Sequence, residues 1–70
     1  MIFDMITVND FPYPFHSGMT IHDALQNAAV DIHGPVLVTC NGRFVSFDHY
    51  RDTILVDGDV LVAMRVVSGG

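Results

Sequence analysis

The chain has no lysine and only three arginines against eight acidic residues, a formal net charge of −5 over 70 residues. So few and scattered cations leave no electrostatic footprint for a phosphate backbone, which argues against nucleic acid and an anionic membrane as partners. A basic protein surface suits the charge better, because complementary charge speeds encounter. The same charge also serves simple solubility. Cysteine is nearly absent: with Cys40 alone, no internal disulfide can staple the fold, as expected in a reducing compartment. No apolar run approaches the length of a membrane span. Met1-Ile2-Phe3-Asp4 lacks the basic start and long apolar stretch of a secretory signal. A cytoplasmic protein is expected. No linker, repeat or low-complexity run divides the sequence, so it reads as one small domain with a limited core.

What is present is apolar and regularly punctuated. Half of the residues are hydrophobic, which excludes disorder by composition. Residues 5–8 read as a strand, Asn9-Asp10 as a turn, and residues 11–16 as a returning strand. Pro12 and Pro14 cannot donate ladder hydrogen bonds, so that second strand belongs at a sheet edge. Thr20 can cap a helix, with Asp23 at the reciprocal position of a capping box. Ile21, Leu25, Ala28, Ala29 and Ile32 fall on one helical stripe, and Gly34-Pro35 closes the helical region. Residues 36–40 and 43–45 read as strands about an Asn41-Gly42 turn. The polar stretch 48–52 has room for one helical turn. Asp57-Gly58-Asp59 is a further turn, leading into a last strand over residues 60–67. This order predicts an α+β domain: a mixed four- to five-stranded sheet, one helix packed on one face, and the first and last strands as central neighbours.

One helix covers one face of a sheet, and the other face should alternate to polar residues. Here it does not. Leu61 and Ala63 can face the helix, which leaves Val60, Val62, Met64 and Val66 on the opposite parity; Leu37 is left out in the same way when Val36, Val38 and Cys40 pack inward, so that Leu37, Val62, Met64 and Val66 stay outside. An uncovered apolar cluster of this kind marks a protein-binding surface or an aggregation hazard. Residues 1–3 folding over it, or a homodimer, would hide it equally well. The sequence then ends Val66-Val67-Ser68-Gly69-Gly70. A terminal Gly-Gly is narrow and conformationally free, so it can enter a slot that side chains would jam, and its reactive group is the α-carboxylate of Gly70. A merely frayed end would look the same. The expected organisation is a domain over residues 1–66 with a flexible tail over 67–70.

Catalytic and metal motifs fail on inspection. His16, His22, His33 and His49 lie in different elements without ligand spacing, so no metal site is expected. Cys40 sits at core parity, where a thiol is usually an inert small hydrophobe. Asp57 and Asp59 belong to a turn and not to a pocket for paired carboxylates. No nucleophile elbow, phosphate loop or dinucleotide fingerprint occurs. The chain is not expected to be an enzyme on its own.

Gly18-Met19-Thr20-Ile21-His22-Asp23-Ala24-Leu25, Asn41-Gly42, Asp57-Gly58-Asp59 and Arg65-Val66-Val67-Ser68-Gly69-Gly70 together resemble the sulfur carrier proteins of the ThiS/MoaD type, over about the last fifty-five residues. The resemblance implies a ubiquitin-like β-grasp fold. It implies that a ThiF- or MoeB-like enzyme adenylates the Gly70 carboxylate at the expense of ATP, with no cofactor bound by the carrier. A persulfide from a cysteine desulfurase or rhodanese-type relay then gives a C-terminal thiocarboxylate. Val67, Ser68 and Gly69 would thread into the partner, and Leu37, Val62, Met64 and Val66 would form the docking patch. The Thr20-Ile21-His22-Asp23 start resembles ThiS, whose sulfur goes through a ThiG-like thiazole synthase to the thiazole of thiamine. Residues 45–49 instead resemble MoaD, the small subunit of molybdopterin synthase; Ser46-Phe47 stand where the ThiS pattern often has Pro-Arg. The tail lacks the two prolines of the MoaD pattern, and the thiamine branch is favoured. The alternatives are a MoaD-like or other thiocarboxylate carrier, a ubiquitin-like protein modifier, and an interaction domain whose Gly-Gly is incidental.

Overall fold

Asn9 and Asp10 have φ of 52° and 72°, and Asn41 and Gly42 have 52° and 84°. Two central residues of positive φ make a type I′ turn, whose twist matches that of paired strands. Each pair therefore closes a two-residue hairpin. In the computed structural model, which describes residues 4–66, the first hairpin joins β1 (Met5–Val8) to β2 (Phe11–Pro14), and the second joins β3 (Val36–Cys40) to β4 (Arg43–Val45). A single helix, α1 (Ile21–Asn27), lies between the hairpins, and β5 (Val60–Arg65) comes last. The sheet order is β2-β1-β5-β3-β4. β5 runs parallel to β1 and antiparallel to β3, so the first and last strands are central neighbours as the sequence implies. β2 is an edge strand, ending at Pro14 and not at residue 16.

Ile6, Val8, Val38 and Leu61 project from one face of the sheet and are fully buried against Ile21, Ala24 and Leu25 of the helix. The helix start is as the sequence reads: the Asp23 N–H donates to Thr20 Oγ1 at 3.2 Å, and the Thr20 N–H to Asp23 Oδ2 at 3.1 Å. The helix end is earlier than expected. It stops at Asn27, and Ala29, with φ of 58°, takes the left-handed position usually given to glycine. The Val30 N–H reaches back to the Leu25 carbonyl at 2.9 Å and the Ala29 N–H to that of Gln26 at 3.0 Å. That pair of bonds is a Schellman closure. Ala29 consequently faces solvent, and Ile32 reaches the core from a loop and not from a helical stripe.

Three core residues come from segments without periodicity. Met19 and Leu55 are brought together because the Leu55 N–H donates to the Met19 carbonyl at 2.7 Å, beside a bridge between Thr20 and Ile54. Tyr50 is buried although its neighbours are polar, packing its ring against Phe47 at 5.4 Å. A short 3-10 turn over Phe47–His49 delivers it. Among the described residues, no helix is long and apolar enough to cross a membrane.

Among the described residues, Asp59 is the buried polar one, 8 % exposed. Its Oδ1 accepts from Asn41 Nδ2 and its Oδ2 from the Val56 N–H, both at 2.9 Å. Asn41 in turn accepts the Val60 N–H at 2.9 Å, and its own N–H donates to the Val60 carbonyl at 2.7 Å. The Asn41-Gly42 turn and the Asp57-Gly58-Asp59 turn are thus one clasp at the start of β5.

Two stability changes follow. Asn41→Gly keeps the positive φ but removes the side chain from the clasp, and should cost about 1–3 kcal/mol in urea unfolding. Ala29→Gly relieves a left-handed alanine and should stabilise by about 1 kcal/mol in the same assay.

Candidate functional site

The sheet face opposite the helix is built by parity and register. Leu37 pairs with Met64 and Thr39 with Val62 across β3 and β5, and Thr39 pairs with Phe44 on β4. Paired residues share a face. Leu37, Val62, Met64 and Phe44 therefore meet on the uncovered side. Phe44 is 64 % exposed, Met64 54 % and Val66 48 %, whereas Leu37 and Val62 are half-buried. The sequence-based patch thus has all four of its residues among the described ones, with Val62, Met64 and Val66 following one another along and just beyond β5. Phe44 was missed. The signal for it was present: a two-residue loop at Asn41-Gly42 sets Cys40 opposite Arg43, and so Thr39 opposite Phe44. Val60 and Met5 extend the same face towards β1 and are exposed.

Beyond Arg65 the chain is still held to the sheet at one point, where the Val66 N–H donates to the Pro35 carbonyl at 2.7 Å. Val67, Ser68, Gly69 and Gly70 lie outside the described residues.

Nucleophilic groups do not converge on this face. Cys40 shares the helix-side parity of Val38. Burial, and secondarily the Asp59 carboxylate, push its thiol above the ordinary value. A thiol held protonated is a poor nucleophile. The histidines are dispersed as well. His22 and His33 line a cleft of about 360 Å³ with Phe47, Tyr50 and Arg51, while His49 lines a different one with Cys40. Among the described residues, the uncovered face offers apolar contact, with Thr39 as a polar member.

The model of the ThiS family matches residues 6–70, nearly the whole sequence, tail included. The chain belongs to the ThiS family. Among solved structures, the thiamine biosynthesis protein ThiS from Geobacter metallireducens superimposes with a TM-score of 0.76 at 24 % identity, covering 94 % of this chain and 99 % of that one. At that identity the likeness speaks for the fold, a five-stranded mixed sheet with one helix of the ThiS-like β-grasp type. No curated protein sequence matches. Membership of the ThiS family implies a sulfur carrier of thiamine biosynthesis, a class of proteins that are not enzymes, and partners of the ThiF and ThiG type.

Proposed function

We propose that the Gly70 carboxylate is the group on which the sulfur is carried. A carboxylate is an anion without a leaving group, so a sulfur nucleophile cannot displace its oxygen. In this reading a ThiF-type partner transfers AMP from ATP to the Gly70 carboxylate and releases pyrophosphate. A persulfide supplied by a desulfurase or rhodanese-type relay then displaces AMP. Cleavage of the S–S bond by a thiol leaves a C-terminal thiocarboxylate. A ThiG-type synthase takes this sulfur for the thiazole ring, in the cytoplasm. The single observation that carries the reading is the family match running through Gly70.

Residues 1–66 then serve as the presenting domain and 67–70 as the reacting tail. Val67, Ser68 and Gly69 pass through the partner's channel, where the absence of a Cβ at Gly69 allows a close fit. The Leu37, Val62, Met64 and Val66 patch is the docking face. Its exposed Met64 suits such a role, because a flexible thioether adapts to more than one partner surface. The chain contributes the reacting atom and the recognition surface, and the partners contribute ATP and the chemistry.

Incubation with the cognate ThiF-type enzyme, ATP and a sulfur donor should raise the intact mass by the difference between a sulfur and an oxygen atom. Deleting Gly70 should abolish that product and leave the urea midpoint unchanged. A ladder of conjugates on lysines of other proteins, with no thiocarboxylate, would refute the carrier reading in favour of a protein modifier. The docking face has its own test. Met64→Asp places a charge on an exposed site, so it should leave stability within about 0.5 kcal/mol. The same change should weaken enzyme binding about tenfold or more, as expected where a charge enters a buried contact; unchanged binding in calorimetry would remove the patch from the interface.

A further inference from the structure

β5 outruns its neighbour β1. The ladder between them begins regularly, with the Thr7 N–H donating to the Asp59 carbonyl at 3.1 Å and the Asn9 N–H to the Leu61 carbonyl at 3.0 Å. At that point Asn9 turns into the hairpin at positive φ. The Ala63 N–H is accepted by the side chain of Asn9, through Oδ1 at 2.8 Å, where a continuing strand would offer a carbonyl. A side chain has no next residue, so the ladder ends there.

Backbone groups alternate sides along a strand. The Ala63 carbonyl and the Arg65 N–H therefore point the same way as the Ala63 N–H, away from β3. Neither has a partner among the described residues. On the other side the strand stays paired as far as Val66, through Pro35. The contrast with the β2 edge of the sheet is informative. Pro12 and Pro14 oppose Thr7 and Met5 in β2, where the hairpin register turns their nitrogens outward, and proline has no N–H to offer. That edge is closed to further strands, whereas the C-terminal half of β5 is open.

We infer that an extended segment of the adenylating partner adds to this open half of β5, one of its residues bridging the Ala63 carbonyl and the Arg65 N–H. The inference rests on the carrier reading above and adds a backbone docking site to it. Alternation fixes the chemistry of the incoming segment. On one face it meets Met64 and Val66, which are apolar and exposed; on the other it meets Arg65, an exposed cation in a chain of net charge −5. The matching segment carries an apolar side chain on the first face and a carboxylate on the second. Strand addition at this point also holds the chain extended immediately before the reacting tail.

Amide hydrogen exchange on the wild-type chain tests this without any variant. Free in solution, the Arg65 amide should exchange rapidly and the Val66 amide slowly. Saturation with the ThiF-type enzyme should slow Arg65 about tenfold or more, the signature of a newly bonded amide. Arg65→Pro removes the N–H from a side the domain does not use, so the fold should persist. Its KM as substrate, followed by pyrophosphate release, should rise about five- to tenfold, as for one lost hydrogen bond, with kcat within about twofold. Arg65→Ala keeps the N–H and should raise KM by less. If wild-type chain is adenylated while the Arg65 amide stays unprotected, or if Arg65→Ala is as impaired as Arg65→Pro, the strand-addition site is overturned and the carrier reading stands. If wild-type chain is not adenylated at all, both fall.

Discussion

The carboxylate of Asp59 is the joint on which the rest of the domain depends. One oxygen holds the side chain of Asn41 and the other the N–H of Val56, while the Asp59 carbonyl accepts from Thr7 of β1. A single residue therefore ties the turn before β5 to the β3–β4 hairpin and to the first strand. Asn41 completes the joint by both donating to and accepting from Val60. The consequence is positional. Side chains alternate with a period of two, so a slip of one residue at the start of β5 would send Leu61 and Ala63 outward and turn Val62 and Met64 into the helix. The clasp fixes that choice before the strand begins. A buried carboxylate is tolerable there because both of its oxygens are bonded.

How much was legible follows from how local each signal is. The Thr20 and Asp23 capping box, the Asn41-Gly42 hairpin and the two-residue parity of β3 and β5 each depend on neighbours in sequence, and all appear as read. The length of the helix does not. Four residues of the stripe, Ile21, Leu25, Ala28 and Ile32, do reach the core and Ala29 does not; nothing in the sequence marks Ala29 as the left-handed residue that ends the helix at Asn27. Met19, Tyr50 and Leu55 were missed for a related reason. Their burial arises where the loop before the helix crosses the loop after the 3-10 turn, a contact between segments with no periodic pattern to announce it. The two aspartates around Gly58 were recognisable as a turn. Their bonding to Asn41 and to the Met5 N–H joins residues far apart in the chain and could not be read in advance.

The candidate site shows the same division. Its apolar character was visible because parity alone separates the two faces of a strand. Its extent was not, since Phe44 joins only through the register of the hairpin. The open half of β5 was invisible altogether, because it is a mismatch in length: β1 has four residues, β5 has six, and an asparagine side chain marks the point where the shorter one stops. The two faces then divide the work. The helix side holds the domain together, and the far side leaves Phe44, Met64 and Val66 exposed. Cys40 lies on the helix side, half-buried, where burial raises the pKa of its thiol.

The parallel pairing of β1 with β5 has a further consequence, for how the protein is made. It places Thr7 beside Val60 at the centre of the sheet. A helix of seven residues is too short to persist in water without the sheet beneath it. During synthesis β1 to β4 are made first, yet the strand that belongs between the two hairpins is still within the ribosome. The core cannot close until β5 emerges, because β1 and β3 each lack the neighbour that joins the two hairpins into one sheet. A chain terminated before residue 60 would remain open to proteases. The topology thus makes closure of the core wait on β5.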